Sequence, residues 1–155
     1  MSTQWPVSID TLKGDVIREL HRPTQSQPAD PTAITGVTAL MLGLAVAFTP
    51  RRTGRISVRV YGNITCDTTA KTTTVRMRYG TGTAPANAAA STGTAAGVAR
   101  TFLALTGMLT VPFSDEALID NLTIGTAYWI DYSALTDDAA AAGRVLGLNI
   151  VVAEI

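Results

Sequence analysis

Two segments of alternating apolar and polar residues constrain the fold more than any other feature of this sequence. One spans residues 55–64 and the other residues 74–79, and in both the side chains alternate with the period of two that is typical of a half-buried strand. Each strand would carry aliphatic side chains on one face and arginines on the other. We therefore expect the two strands to form an antiparallel sheet over a core. The apolar members are Ile56, Val58, Val60, Ile64, Val75, Met77 and Tyr79.

The rest of the chain from Ala33 onward is also typical of strands and loops. Apolar or alternating segments at 34–39, 42–48, 101–105, 108–113, 126–135 and 145–155 predict further strands. The low-complexity stretch 80–97 predicts a long loop, and residues 114–125 predict a turn and a crossing. About eight strands without helical segments between them predict an all-β fold, an antiparallel β-sandwich that is jelly-roll-like.

The N-terminal residues have a different pattern. Ile9, Leu12, Val16, Ile17 and Leu20 follow a helical spacing, which predicts a short helix that Pro23 would end. A polar, proline-rich linker follows, so the sequence predicts an N-terminal arm with linker (1–31) and a β-sandwich domain (32–155). A stripe this short is not stable alone, so it should dock on a neighbouring molecule or on its own domain.

Composition narrows the classes of partner. Only 15% of the residues are charged, so we expect an oligomer whose copies cover apolar surface. The formal net charge of zero argues against a nucleic-acid-binding protein. The uncharged segment Thr32–Thr49 is barely long enough to span a membrane, and it divides into two strand-like pieces, so no membrane span is expected.

Catalytic and cofactor motifs are not found. The chain has one histidine, His21, and one cysteine, Cys66, which we interpret as a small buried apolar residue. The start of a glycine-rich loop at Gly80 has Pro85 at the place of the third glycine. The sequence thus predicts no enzyme activity, no cofactor and no metal. Asp131 lies within a predicted strand, and we expect it to pair with an arginine of a neighbouring strand, Arg59 or Arg76.

The arginines at positions 51, 52, 55, 59, 76 and 78 form the most prominent polar group. They fit either a solvated outer face or a surface between subunits, and the sequence leaves both interpretations open. The candidate partner interface combines four of these arginines with the apolar residues of the arm. Its members are Trp5, Leu12, Val16, Ile17, Leu20, Arg51, Arg52, Arg55 and Arg59.

Several segments together resemble a known family. They are Met41-Leu-Gly-Leu, Phe48-Thr-Pro with Thr53-Gly-Arg, Arg78-Tyr-Gly-Thr-Gly-Thr-Ala-Pro-Ala-Asn, Thr110-Val-Pro-Phe-Ser and Leu122-Thr-Ile-Gly-Thr-Ala-Tyr-Trp-Ile-Asp. This series resembles the β-sandwich virion accessory proteins of tailed bacteriophages and prophages, over about residues 36–155. The segment Tyr79 to Asn87 is the most specific part. The resemblance implies a jelly-roll-like, homotrimeric, non-enzymatic structural protein.

Chain length favours the phage head, because no repeat that could build a fibre shaft is present. We therefore expect a capsid decoration or cement protein of the virion, assembled in the bacterial cytoplasm and held by its arm on the major capsid protein or other virion subunits. The alternative is a tail- or fibre-tip protein with a carbohydrate- or receptor-binding sandwich. In that case Tyr61, Tyr128, Trp129 and Tyr132 would stack against a host glycan, although alternation places Trp129 opposite Tyr128 and Tyr132.

Overall fold

The computed structural model describes residues 23–155, and all regular secondary structure in this range is β. This confirms the predicted all-β class. No helix in the described range is long and apolar enough to cross a membrane. The strands are β1 (Thr24–Ser26), β2 (Ile34–Thr35), β3 (Leu40–Met41), β4 (Val46–Phe48), β5 (Ile56–Cys66), β6 (Thr72–Thr81), β7 (Thr94–Ala95), β8 (Arg100–Leu103), β9 (Thr110–Ile119), β10 (Tyr128–Thr136) and β11 (Ala142–Glu154).

The strands form two antiparallel sheets that pack face to face. Sheet A has the order β1-β11-β5-β9, with β2 also paired to β11. Sheet B has the order β3-β10-β6-β7, with β4 also on β10 and β8 also on β6. Early strands pair with late ones in nested fashion: β1 and β2 with β11, β3 and β4 with β10, β5 with β9, and β6 with β7 and β8. This nesting is the jelly-roll arrangement of a β-sandwich.

The two alternating segments that dominate the sequence become β5 and β6, but they do not pair with each other. β5 lies in sheet A between β11 and β9, whereas β6 lies in sheet B beside β10. The connection 67–71 crosses from one sheet to the other, and the Thr73 hydroxyl fixes it by donating a hydrogen bond to the Thr65 carbonyl at 2.8 Å. The expectation of one sheet containing both strands was wrong, because alternation determines which face is buried and not which strand is the neighbour.

The predicted phase of β5 is confirmed. Ile56, Val58, Val60 and Ile64 are buried in the core between the sheets, and so is Cys66, which has a free thiol. Apolar residues of β6, β10 and β11 complete this core from the other side and from the neighbouring strand. The core therefore has the composition that the alternating pattern predicts for a sandwich.

Several strand boundaries differ from the prediction, and the predicted loop 80–97 contains the end of β6 and the two-residue strand β7. β9 continues through Ser114 to Ile119, where we expected a turn, because the acidic residues there interrupt the apolar pattern without interrupting the strand. Segments 34–39 and 42–48 contain only strands of two or three residues. Positive φ angles at Gly36 (100°), Gly43 (71°) and Ala45 (51°) break them, since a strand requires negative φ.

Strand β1 lies within the predicted proline-rich linker. Thr24 pairs with Val152, and Gln25 with Val151, at the edge of sheet A. Asp30 then accepts a hydrogen bond from the Gly147 backbone N–H at 2.7 Å. These residues are thus attached to the sandwich, while the division of the whole chain at residue 31 stays a prediction.

The strand phase can be tested at two adjacent positions. Val60→Asp places an unpaired carboxylate at a site with no solvent exposure, at a cost on the order of several kcal/mol against a total stability of about 5–15 kcal/mol. We expect this variant to show no cooperative unfolding transition. Tyr61→Asp, whose side chain points to solvent between Ser114 and Asn149, should lower stability by less than about 1 kcal/mol. Thermal unfolding followed by circular dichroism measures both, and equal effects would contradict the assigned phase.

Candidate partner interface

The loop between β4 and β5 is fastened to the last strand by a single carboxylate. The backbone N–H groups of Arg51, Arg52 and Thr53 donate to the Glu154 carboxylate at 3.0, 2.6 and 2.6 Å. Desolvation opposes ionisation of Glu154, but these converging N–H groups and that of Gly54 outweigh it and lower its pKa to about 2. The loop backbone is therefore fixed, and it holds the exposed residues Arg51 and Arg52 at one end of the sandwich. We call this end, with Glu154, the arm end.

The other two arginines of the predicted interface pair within their own chain. Arg55 Nε lies 2.7 Å from Asp120 Oδ1, and Arg59 Nε lies 3.1 Å from Glu116 Oε1 across the β5–β9 ladder. Both pairs are about half exposed, so each contributes only about 0–1 kcal/mol to stability. Their surface position leaves them accessible to another molecule, and their role in an interface stays a prediction.

The apolar residues of the predicted interface, Trp5, Leu12, Val16, Ile17 and Leu20, lie outside the described residues. The structure does give the point at which this segment joins the sandwich. Thr24 pairs with Val152, only two residues before Glu154 on the same strand. The chain therefore enters the fold at the arm end, close to the loop that carries Arg51 and Arg52.

A buried polar cluster joins the two sheets at the β9 edge. Asp115 Oδ1 accepts hydrogen bonds from Arg100 Nε at 3.0 Å and from the Glu116 N–H at 3.1 Å. Its Oδ2 accepts one from the Tyr132 hydroxyl at 2.9 Å. Desolvation, reinforced by the negative charge of Asp115, raises the pKa of Tyr132. Every member is used in holding β9 against β8 and β10, so the cluster is suited to stabilising the sandwich. No pattern in the sequence marks Asp115 and Arg100 as partners, because each lies in a different strand.

Asp131 has a structural partner other than the predicted one. It is fully buried, and its carboxylate accepts hydrogen bonds from the N–H groups of Gly43 at 3.0 Å, Leu44 at 3.1 Å and Tyr132 at 2.7 Å. Desolvation raises its pKa to about 6, although the three N–H groups act in the opposite direction. The predicted pairing with Arg59 or Arg76 is wrong, because the segment between β3 and β4 covers this carboxylate and Arg59 lies in the other sheet.

The four aromatic residues considered for glycan stacking do not share a surface. Trp129 is buried on the outer face of sheet B, where Gly80 and Gly93 pack so closely against its ring that a Cβ at either glycine would collide with it. Tyr132 is buried in the core, and Tyr61 is exposed on sheet A. These residues therefore form no stacking platform.

The described range contains no cluster suited to metal binding. Among residues 23–155, no group of three or more His, Cys, Asp or Glu side chains could hold a metal ion. The histidine of the chain, His21, lies outside that range. The polar clusters around Glu154, Asp115 and Asp131 all make hydrogen bonds that stabilise the fold.

Comparison with known proteins gives little similarity. No family model matches the chain, and no curated protein matches it. Two structures of infectious bursal disease virus, from the Gt and Gx strains, are similar at 13% and 16% identity with TM-scores of 0.29 and 0.28. The match covers 86% and 85% of this chain but only 37% and 38% of those chains. At such TM-scores we draw no conclusion from the likeness.

The acid dependence of stability should reveal the Glu154 contact. The pKa of this group is lowered in the folded protein from 4.5 to about 2, so its contribution is present above about pH 4.5 and is lost as pH falls towards 2. We expect Glu154→Gln to lower the melting temperature at pH 7 and to flatten its decline between pH 4.5 and 2. Glu116→Gln, an exposed acid on the same sheet, is the control. A Glu154→Gln curve parallel to wild type would contradict the assignment.

The Asp131 contacts can be tested by an isosteric change. Asp131→Asn places an amide NH₂ against one of three N–H donors, which should lower the free energy of unfolding by about 1–3 kcal/mol. Each kcal/mol should lower the melting temperature by about 2–4 °C. Asp30→Asn retains an oxygen for its one N–H partner, Gly147, and should change the melting temperature little. Equal melting temperatures for the two variants would argue against the Asp131 geometry.

Since the pKa of Asp131 is raised in the folded state, its effect on the pH dependence has the opposite sign to that of Glu154. Wild-type stability should fall as pH rises from about 4 to about 6, because over this range the Asp131 carboxyl is ionised in the unfolded chain but stays protonated in the folded protein. Asp131→Asn should lack this decline, and chemical denaturation at several pH values measures it. A decline that persists in the variant would assign it to another group.

Proposed function

We propose that this protein is a non-enzymatic structural component of a tailed-phage virion, a decoration or cement protein anchored through its N-terminal arm. The major capsid protein or other virion subunits are the proposed partners, and the virion, assembled in the host cytoplasm, is the proposed location. Support comes from the jelly-roll sandwich, from the family resemblance of the sequence and from the position at which the arm joins the fold. No cofactor is part of this proposal.

The observation that carries the proposal is that the arm joins the sandwich outside its core. Within the described residues, the core begins at Ile34 and extends to Val152. The preceding strand, β1, is a three-residue edge strand that is mostly exposed. An attachment point at an exposed edge of the sheet would let the arm extend to another molecule, as the proposal requires.

The arm end has the surface composition expected of a contact region. Ile155 and Ile124 are 49% and 53% exposed there. The Ile155 N–H donates to the Arg55 carbonyl at 3.0 Å, and the Gly125 N–H donates to the Pro50 carbonyl at 2.8 Å, which places both isoleucines beside the arginine loop. Exposed apolar side chains next to arginines are a composition that protein interfaces favour.

The oligomeric state belongs to the same proposal. A homotrimer would cover part of the exposed apolar surface that the low charge content of the chain leaves, and the family resemblance also favours it. A tail- or fibre-tip protein that binds a host glycan is the alternative. The placement of Trp129 and Tyr132 inside the protein does not favour it, because a sugar ring could not reach either side chain.

Removal of residues 1–22 tests the anchoring. A protein that begins at Pro23 retains β1, so its melting temperature should lie within about 2–4 °C of the full chain, equivalent to about 1 kcal/mol. Its binding to undecorated capsids, measured by co-sedimentation, should be lost. Normal capsid binding by the shortened protein would contradict the proposal, and so would a much lower melting temperature.

Two further variants serve as controls for this experiment. A protein that begins at Thr32 also loses β1 and the Asp30–Gly147 hydrogen bond, and it should melt at a lower temperature without a further change in binding. Arg51→Ala/Arg52→Ala retains the arm and should weaken binding, because the two exposed guanidinium groups lie beside the point where the arm enters the fold.

A further inference from the structure

An exposed apolar turn lies between β8 and β9. Leu103, Leu105, Met108 and Leu109 are 49%, 46%, 43% and 38% exposed, and no charged residue occurs between positions 101 and 114. We call residues 103–110 the apolar turn. A groove of about 420 Å³ lies against it, lined by Thr69, Gly107, Met108, Leu109 and Thr110. Contiguous exposed apolar surface of this kind commonly marks a site of protein contact.

The backbone of the apolar turn is fixed by hydrogen bonds. The Leu105 N–H donates to the Met108 carbonyl at 3.1 Å, and the Met108 N–H donates to the Leu105 carbonyl at 2.8 Å. On the two sides of this hairpin, the Ala104 N–H donates to the Lys71 carbonyl at 2.9 Å and the Leu109 carbonyl accepts from Cys66 at 3.0 Å. The leucines and the methionine are therefore held outward on a pre-organised surface, which lowers the entropic cost of binding.

We propose that the apolar turn is the docking site for the N-terminal arm of a second copy of this chain. The inference rests on the proposed anchoring role of the arm, and it names another copy of this chain as the virion subunit that the arm binds. Positions in the sequence and the location of the turn in the fold support it, in two steps.

The apolar turn and the point where the arm joins the fold lie at opposite ends of the sandwich. The Leu109 carbonyl accepts a hydrogen bond from the Cys66 N–H, and Cys66 pairs with Gly143 near the beginning of β11. Thr24, where the arm enters, pairs with Val152 near the end of the same strand. Nine residues of a β-strand at about 3.3 Å each separate the two points by about 30 Å. Met108 precedes Leu109 in the turn, on the side away from β9, so it lies on the far side of Leu109 from the arm end.

The second step is the reach of the chain. Leu20 is four residues from Thr24, so even a fully extended segment carries it no more than about 14 Å, at about 3.3–3.6 Å per residue. Ile17, seven residues away, reaches at most about 25 Å on the same basis. Neither residue can reach the apolar turn of its own chain. Leu12, twelve residues from Thr24, could extend about 40–43 Å, but a stripe that docks as one unit also includes Ile17 and Leu20. Both can reach the turn of a second copy whose turn end faces this arm end.

The chemistry of the two surfaces is compatible. The apolar members of the arm, Leu12, Val16, Ile17 and Leu20, recur at helical spacing, and charged residues occupy the intervening positions 13, 15, 18 and 19. Residues 103–110 of the apolar turn carry no charged side chain, so none of them would be left as an unpaired charge on contact. Such a contact is heterologous, head to tail, so it produces a closed ring if the rotation between copies closes and an open chain if it does not.

Complementation between two full-length variants tests the inference without any capsid present. Leu105→Ser/Met108→Ser removes the docking surface and keeps the arm, while Val16→Ser/Leu20→Ser removes the arm stripe and keeps the turn. We expect each variant alone to sediment as a 16.2 kDa monomer, with self-association weakened at least tenfold relative to wild type. Mixed in equal amounts, the two should form a dimer, because one functional arm and one functional turn remain between them.

Val98→Ser/Leu118→Ser, which removes two exposed apolar side chains outside the turn, should assemble as wild type does. A wild-type protein that stays monomeric at high concentration would overturn the inference, and so would a turn variant that assembles normally or a mixture that forms no dimer. Binding of each variant to capsids is measured separately. A failure of capsid anchoring is thereby distinguished from a failure of arm exchange.

A second measurement covers the case in which a serine variant does not fold. Ile17→Cys and Thr106→Cys in one chain should form disulfide-linked multimers on mild oxidation, because the two sulfurs belong to different copies. A variant with only one of the two engineered cysteines should form no such multimers. The native thiol of Cys66 should not interfere, because it is buried. A disulfide within one chain, seen as a monomer without free engineered thiols, would overturn the inference.

Discussion

The nested pairing of early strands with late ones is the constraint on which the rest of this structure depends. The chain is doubled back on itself about the loop between β6 and β7, and the doubled ribbon is then folded into two sheets. β11 takes the largest share, since it pairs with β5 on one side and with β1 and β2 on the other. One consequence is that the point where the arm enters and the last strand meet at the same end, beside the loop that Glu154 holds. The proposed anchoring surface therefore derives from the topology as much as from the residues that form it.

Buried carboxylates hold the two sheets together and hold a covering loop against them. Asp115 joins β9 of one sheet to β8 and β10 of the other, and Asp131 fixes the segment before β4. A buried carboxylate is unfavourable unless donors surround it, and each of these accepts three hydrogen bonds in the described structure. Such groups favour one strand register over others, because a shifted register would displace the donors and leave the buried carboxylate unpaired. They use the acidic side chains in structural roles, which agrees with a protein whose proposed work is binding.

Alternation in the sequence was sufficient to predict the class of fold and the buried face of β5, because a period of two follows directly from strand geometry. It could not show that β5 and β6 belong to different sheets. The same face of each strand would be buried whether the two strands formed a hairpin in one sheet or were joined by a connection that crosses between sheets. Nor could alternation show that β9 continues past Ser114, because Asp115 is buried by virtue of Arg100 and Tyr132, which are distant in sequence. The partners of Asp131 are backbone N–H groups, which no side-chain pattern reveals. For the interface, the sequence predicts residues of the arm and of the arginine loop, which stay a prediction; it could not show that the apolar turn and the point where the arm joins the fold lie at opposite ends of the sandwich.

The central position of β11 also has a consequence for synthesis of the chain. Gln25 and Asn149 are joined by a side-chain hydrogen bond although 124 positions separate them, and β5 lacks one of its two neighbours until β11 is available. A nascent polypeptide on the ribosome can thus form the β5–β9 and β6–β8 ladders early, but sheet A remains open until residue 154 has left the exit tunnel. Contact order this high makes folding slow, because the entropy of closing long loops is lost before the distant contacts form. During that interval the edge of β5 that later pairs with β11 is exposed to other nascent chains, which makes the period of synthesis the time of greatest risk of aggregation.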